Sequence, residues 1–383
     1  MARVVLAMSG GVDSSVAARL LLDAGHEVIG VFMRHGEQSP AVCSIEGAQQ
    51  PAAGSARPQA AQLPIINRLD HKQGCCTAAD AEDARRVADR LNIPFYALDL
   101  NREFGRIMDY FVDEYSRGRT PNPCVQCNNW IKFGKLFDYA DSASAEFVAT
   151  GHYAQLEERD GEPALLRGVD DAKDQSYVLF GIERRYLERM LLPVGGFTKP
   201  EIRQRAAELG LRVADKKDSQ EICFVTSGRY DEFVKRRRLE GGGRAGEGGE
   251  FVSTTGDVLG EHDGIEGFTV GQRKGLGIAL GEPRYVVRIE PDTKRVVLGE
   301  RSEMHRRTLT ASATNWLTDL PHGELLVGLA QIRYNAAPAP ATFTLLPENR
   351  LAVEFADPQF GVAPGQAVVC YDRTRVLGGG WIE

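Results

Sequence analysis

A chain of 383 residues, 43% hydrophobic and 26% charged, is long enough for two or three domains with cores of their own. Its formal net charge of -7 argues against indiscriminate polyanion binding, although local basic patches still act within a Debye length of about 10 Å. Seven cysteines, odd in number and sparse, exclude a disulfide scaffold, and with no apolar leader and no run near the ~20 apolar residues of a membrane span, the sequence predicts a cytoplasmic protein.

In chain order, Arg3 to Met8 reads as a buried strand and Val12 to Ala24 as a helix with Val12, Val16 and Leu20 on one face, closed by Gly25. Glu27 to Met33 reads as a second strand. Strand, helix and strand in this order make a right-handed crossover with both strands parallel. The rhythm continues with helices over Thr77 to Leu91, Glu103 to Tyr115 and Trp130 to Ala140, and strands over Pro94 to Leu98 and Phe147 to Thr150. The fold class is therefore α/β, a doubly wound parallel sheet. Residues 36–74 interrupt it with a tract rich in Ala, Gln, Gly, Pro and Ser that buries little apolar surface, expected to be a mobile insertion. Thr198-x-x-Glu201, with Pro200 in the first turn and Gly210 after the last, marks a capped helix.

The first domain is assigned to residues 1–217. A basic helix (Tyr230 to Leu239) and a glycine-rich loop (Gly241 to Gly249) suggest a small middle domain over 218–280. From about Gly281 the helical signal gives way to short alternating runs between Pro, Gly, Asn and Asp turns, which predicts an all-β barrel over 281–383.

Ser9-Gly-Gly-Val-Asp-Ser-Ser15 falls between the first strand and first helix, where backbone N–H groups lack partners and the helix dipole is positive. The paired glycines let an anion reach those donors, and Ser9, Ser14 and Ser15 can add hydroxyls. No Walker lysine and no G-x-G-x-x-G spacing is present, so phosphoryl transfer and dinucleotide binding fit poorly. The loop suits a departing pyrophosphate. SGGVDSS resembles the pyrophosphate-binding loop of the N-type ATP pyrophosphatases.

Sulfur chemistry is suggested by Thr120-Pro-Asn-Pro-Cys-Val-Gln-Cys-Asn-Asn-Trp-Ile-Lys-Phe133 and Lys216-Lys-Asp-Ser-Gln-Glu-Ile-Cys-Phe224. An irregular Asn/Pro loop would set Cys127 near a positive helix end, and Lys216 and Lys217 could favour a thiolate at Cys223. A structural zinc on Cys124-x-x-Cys127 lacks a second ligand pair. Cys370 reads as core filler in a β run, and Cys43 as incidental.

SGGVDSS, TPNPCVQCNNWIKF, TGHYA, KDQSYVL, KKDSQEICF, GFTVGQRKGLGI and PGQ, in this order across nearly the whole chain, resemble the bacterial tRNA-specific 2-thiouridylase family. The resemblance implies ATP-dependent replacement of the ring-2 oxygen of the wobble uridine by sulfur, a tRNA-uridine 2-sulfurtransferase reaction. It implies ATP contacts from Ala7, Met8, Ser9, Gly10, Gly11, Val12, Asp13, Ser14, Met33 and Gly151. Asn122, Pro123 and Cys124 would face the target base, Cys127 would be the nucleophile and Cys223 would carry the persulfide. His152, Lys173, Asp174, Gln175, Arg333, Tyr334 and Gln366 would touch tRNA. The implied cofactor is ATP with transient magnesium and no tightly bound metal; the implied partners are the tRNA anticodon stem-loop and a persulfide sulfur-donor protein, with no membrane. Many family members carry Asp where Cys124 stands, which leaves a resolving role for that thiol open.

Among basic residues, Arg273 and Lys274 in a glycine-rich turn are stronger candidates for phosphate contact than Lys235 to Arg238, which equally suit a solvated helix face. Rival readings are a small-molecule adenylating synthetase, an iron–sulfur thiolase on Cys124, Cys127 and a third cysteine, and an inactive tRNA-binding module.

Overall fold

The computed structural model describes residues 1–34, 77–216, 222–225, 230–242, 246–279 and 281–383. The 36–74 insertion, Cys43, Cys75, Cys76 and Lys217 lie outside the described residues.

The first domain is built on a parallel sheet with the strand order Phe95–Asp99, Glu27–Arg34, Arg3–Ala7, Phe147–Ala149, Met190–Leu191. Arg3–Ala7 is central and buried on both faces. Val4, Leu6 and Met8 pack into one cluster with Val16, Ala84 and Ile202 of the flanking helices, while Val5 and Ala7 pack into another with Leu136, Phe137 and Ala140. A continuous apolar strand is what helix cover on both faces requires. From Arg3–Ala7 the chain winds one way to Glu27–Arg34 and Phe95–Asp99, then returns on the other side as Phe147–Ala149. The carboxyl ends of Arg3–Ala7 and Phe147–Ala149 therefore flank the switch point, where open α/β sheets leave a crevice.

The helices follow the capping signals. Thr77 closes a reciprocal box with Asp80 at the head of Ala78–Leu91, and Glu201 accepts the Thr198 backbone N–H at 2.7 Å at the head of Lys199–Glu208. One expectation needs revision: the helix begun at Trp130 in the sequence starts at Pro123, as Pro123–Gln126, passes through a π-helical segment Cys127–Lys135, and ends as Leu136–Ser142.

The barrel boundary also moves. Tyr285–Glu290 and Arg295–Gly299, assigned to the barrel from their alternation, pair instead within a four-stranded sheet with Gly249–Ser253 and Val258–His262, so that sheet extends to residue 299. Alternation alone does not say which sheet a strand joins. The terminal barrel comprises His305–Trp316, Arg350–Phe360, Ala339–Leu346, Leu326–Gln331, Ala367–Asp372 and Arg375–Ile382, closed by pairing of the first with the last. A hairpin of the first domain, Ala154–Arg159 with Glu162–Arg167, continues the barrel sheet through Leu166 and Arg375.

Candidate active site

At the switch point, the Ser9 to Ser15 turn enters the helix Val12–Asp23. Its N-cap, Gly11, supplies no side-chain cap, which leaves the first-turn N–H groups facing outward as anion donors. Ser14 Oγ instead braces the turn, accepting the Ser9 N–H at 3.2 Å and lying 3.3 Å from the Ser9 hydroxyl. Ser9 itself is exposed, while Ala7, Met8, Val12 and Ser15 are buried, so among these residues Ser9 presents its side chain and the others offer backbone. This donor set, an uncapped helix start beside a hydroxyl and two glycines, suits a nucleotide's phosphates.

Across the crevice, Gly151 follows Phe147–Ala149. A Cβ there would come within 2.7 Å of the Ser14 nitrogen, so only glycine allows the two loops to approach. Next to it, His152 is buried, with Nδ1 2.7 Å from Thr150 Oγ1 and Nε2 3.4 Å from Lys132 Nζ. An ammonium only donates, so Nε2 accepts and the ring proton sits on Nδ1. Burial, reinforced by the Lys132 charge, holds this imidazole well below its ordinary pKa and keeps it neutral.

Lys132 is part of the π-helical segment that begins at Cys127. Single π-turns persist mostly where function sets the side-chain directions. Cys127 and Cys223 both pack, partly buried, against one cluster of Leu100, Phe104, Ile107 and Ile131, and Met33 from the end of Glu27–Arg34 joins them. The two distant cysteines and one expected nucleotide contact thus share one apolar cluster. Cys124 is exposed in the first turn of the same helix. Asn122 caps that turn, its Oδ1 accepting the Val125 N–H at 3.3 Å, and its own N–H points to the Tyr110 hydroxyl at 3.4 Å. Burial pushes the Tyr110 phenol up to about 12.

The barrel reaches this helix start directly. Gln366 Nε2 donates to the Thr120 carbonyl at 3.2 Å and the Pro121 carbonyl at 3.1 Å, immediately before Asn122. Arg333 donates to the carbonyls of Val270 at 3.2 Å and Gly361 at 2.5 Å, joining the middle sheet's loop to the barrel. Tyr334 is 41% exposed, its ring centroid 6.4 Å from that of Tyr177. Lys173, Asp174 and Gln175 form a turn behind the glycine corner. Asp174 is filled internally by the N–H groups of Gly168 and Ser176, the Ser176 hydroxyl and Arg167, so it shapes the turn; Gln175 Oε1 accepts the Tyr153 N–H at 3.0 Å. Arg273 and Lys274 are exposed on their turn.

Two lysines lie in places the sequence did not disclose. Lys199 is buried and donates at 2.8 Å to both carboxylate oxygens of Asp13, which also accepts the Tyr153 hydroxyl at 2.7 Å. Lys216, expected beside Cys223, instead reaches the Gly10 carbonyl at 2.9 Å and Asp80 and Asp83 at 2.7 Å each. Among the described residues no group of three or more His, Cys, Asp or Glu side chains is arranged to hold a metal ion.

Three family profiles tile the chain: a tRNA methyl transferase HUP domain over residues 2–66 and 59–227, a tRNA methyl transferase PRC-barrel domain over 242–300 and an aminomethyltransferase beta-barrel domain over 306–382. The tRNA-specific 2-thiouridylase MnmA of Rhodopirellula baltica is 58% identical over 393 residues, covering 100% of this chain and 96% of its own. The chain belongs to the tRNA-specific 2-thiouridylase family. The protein of that name from Carboxydothermus hydrogenoformans is 45% identical, again across 100% of this chain and 97% of its own. Membership fits the layout: the PRC-barrel profile ends at residue 300 and the beta-barrel profile starts at 306, the same division as between the middle sheet and the closed barrel. No described helix of this 2-thiouridylase family member is long and apolar enough to cross a membrane.

Proposed function

We propose that this chain replaces the ring-2 oxygen of the wobble uridine of tRNA with sulfur, in an ATP-dependent sulfurtransferase reaction. The observation that carries the reading is the convergence of Cys127, Cys223 and Met33 on one cluster, Met33 belonging to the strand that pairs with Arg3–Ala7. In the proposed sequence the ring-2 oxygen attacks the α-phosphate of ATP, and pyrophosphate departs into the donors of Ser9 to Ser14, its charge offset by magnesium that arrives with the nucleotide. Adenylation turns a poor leaving oxygen into a good one. The terminal sulfur of a persulfide on Cys223, loaded by a sulfur-donor protein, then attacks ring carbon 2. Cys127 thiolate attacks the Cys223 sulfur and breaks the S–S bond, leaving the terminal sulfur on the base and a Cys127–Cys223 disulfide on the protein, while AMP leaves with the oxygen. An external thiol reductant restores both cysteines.

The buried, neutral His152 and its neighbour Lys132 flank the glycine corner, where they can orient the phosphates and the entering nucleotide. Asn122, Pro123 and Cys124 lie where the anticodon-loop base would enter, which requires it to be unstacked. Tyr334, Arg273 and Lys274 are exposed for tRNA contact, whereas Arg333 and Gln366 hold the loops that shape the entrance.

The test is mass analysis of nucleosides from tRNA incubated with the protein, ATP, magnesium and glutathione persulfide, which can pass its outer sulfur to Cys223, with AMP measured in parallel. Expected are 2-thiouridine and AMP release only when tRNA is present, and loss of at least about 100-fold in product for Cys127→Ser and Cys223→Ser, consistent with removing a covalent participant. Full thiolation by both variants would overturn the assignment. AMP release without tRNA would favour a small-molecule synthetase.

A further inference from the structure

The apex of the glycine turn rests on a cation that the scheme above leaves without a task. Lys216 Nζ donates to the Gly10 carbonyl at 2.9 Å, to Asp80 Oδ1 at 2.7 Å and to Asp83 Oδ2 at 2.7 Å. Asp80 is 5% exposed and fully engaged, since its other oxygen accepts the Thr77 N–H at 2.9 Å and hydroxyl at 2.6 Å. The apex is also sterically fixed: Gly10 has φ +71°, and a Cβ on it would lie 2.1 Å from the Asp80 carbonyl oxygen. Burial works against the charge of Lys216, yet its bonds to Asp80 and Asp83 outweigh burial and hold the ammonium above its ordinary range.

A trans peptide points its carbonyl and the following N–H in opposite directions. With the Gly10 carbonyl fixed on Lys216, the Gly11 N–H is turned the other way, toward the exposed Ser9 hydroxyl at 3.4 Å and the mouth of the turn. Glycine pairs are the peptides most able to flip. A flip here would aim a carbonyl oxygen at the phosphates, and loss of the ammonium would leave two carboxylates near the turn without their counter-charge.

We propose that Lys216 is a positioning residue for ATP: it locks the Gly10–Gly11 peptide with its N–H outward and offsets part of the charge of Asp80 and Asp83 beside the glycine turn. The inference rests on the ATP reading above. In the sequence, Lys216 stands seven residues before Cys223.

The experiment measures ATP binding by calorimetry without tRNA, then KM for ATP and for tRNA in thiolation, on wild type, Lys216→Met and Asp83→Asn. Lys216→Met keeps the stem and removes the charge. It is expected to weaken ATP binding and raise KM for ATP about tenfold or more, the scale of a lost charge-assisted hydrogen bond, with KM for tRNA unmoved. Asp83→Asn loosens one anchor and is expected to raise KM for ATP about threefold, again with KM for tRNA unmoved. A folded Lys216→Met with wild-type affinity for ATP overturns the proposal; if that variant does not fold, an unchanged KM for ATP in Asp83→Asn overturns it. Wild type that fails to bind ATP would instead overturn the functional reading beneath it.

Discussion

His152 is 6% exposed between a hydroxyl and an ammonium, and its environment rejects a second positive charge. Its folded pKa lies well below the ordinary value of 6.5, so between those two values the unfolded chain binds the extra proton and the folded chain does not. Stability from this group is therefore fully present above pH 6.5 and falls as pH drops through that window, by up to about 1.4 kcal/mol per pH unit. Urea unfolding between pH 7 and 5 is expected to show a shallower decline for His152→Asn than for wild type; parallel declines would refute it. The Ser9 to Ser15 turn was legible from sequence because its glycines and serines are contiguous. Lys199 was not, because its partner Asp13 is 186 residues away and no local pattern encodes that distance.

At the scale of elements, the helix from Pro123 to Ser142 teaches the same lesson from the other side. Asn before Pro is a start signal, an N-cap followed by a residue with no N–H to satisfy. Two prolines and two asparagines in that run read as an irregular loop, which sets the positive helix end next to Cys127, whereas in the fold Cys124 is in the first turn. Asp160-Gly161 is a further local signal, a hairpin turn in which both residues have positive φ, 56° and 79°, the signature of a tight two-residue turn. The π-helical segment had no sequence signal at all, since it reports how the helix is held at both ends. Asn122→Ala is expected to cost about 1 kcal/mol in thermal unfolding, the worth of an N-cap. It should also lower thiolation by far more than that loss of folded protein accounts for, because the cap aims Cys124 and Cys127. Equal losses in stability and activity would reduce Asn122 to a structural role.

For the whole molecule, domain labels understate how the parts are joined. One cluster contains Val5, Ala7 and Val148 of the parallel sheet, Tyr177, Val178 and Phe180 after it, and Ala367, Val369, Tyr371 and Val376 of the barrel. The Tyr177 hydroxyl donates to the Ala367 carbonyl at 2.9 Å, and Asn315 of the barrel donates to the carbonyls of Phe180 and Ile182 at 2.8 and 2.9 Å. A cut before His305 would expose that surface. The truncated chain is expected to aggregate or melt well below the intact one, and the intact protein to unfold through these two regions together in calorimetry. A soluble truncated chain with an unchanged melting point would show the barrel to be a detachable appendage. The sequence predicted a barrel from its alternating strands, but alternation could not show that the outward side chains Ala367, Val369 and Tyr371 pack on the first domain while Val368 and Cys370 fill the barrel.

The hairpin Ala154–Arg167 carries this further. Its second strand, Glu162–Arg167, finds a neighbour in Arg375–Ile382, the last strand among the described residues, where the Arg167 N–H donates to the Thr374 carbonyl at 2.9 Å. On a ribosome adding about 5–20 residues per second, that edge would stand bare for on the order of tens of seconds before its complement emerges. Biogenesis of this enzyme should thus depend on chaperone shielding of the nascent chain until Arg375–Ile382 has emerged.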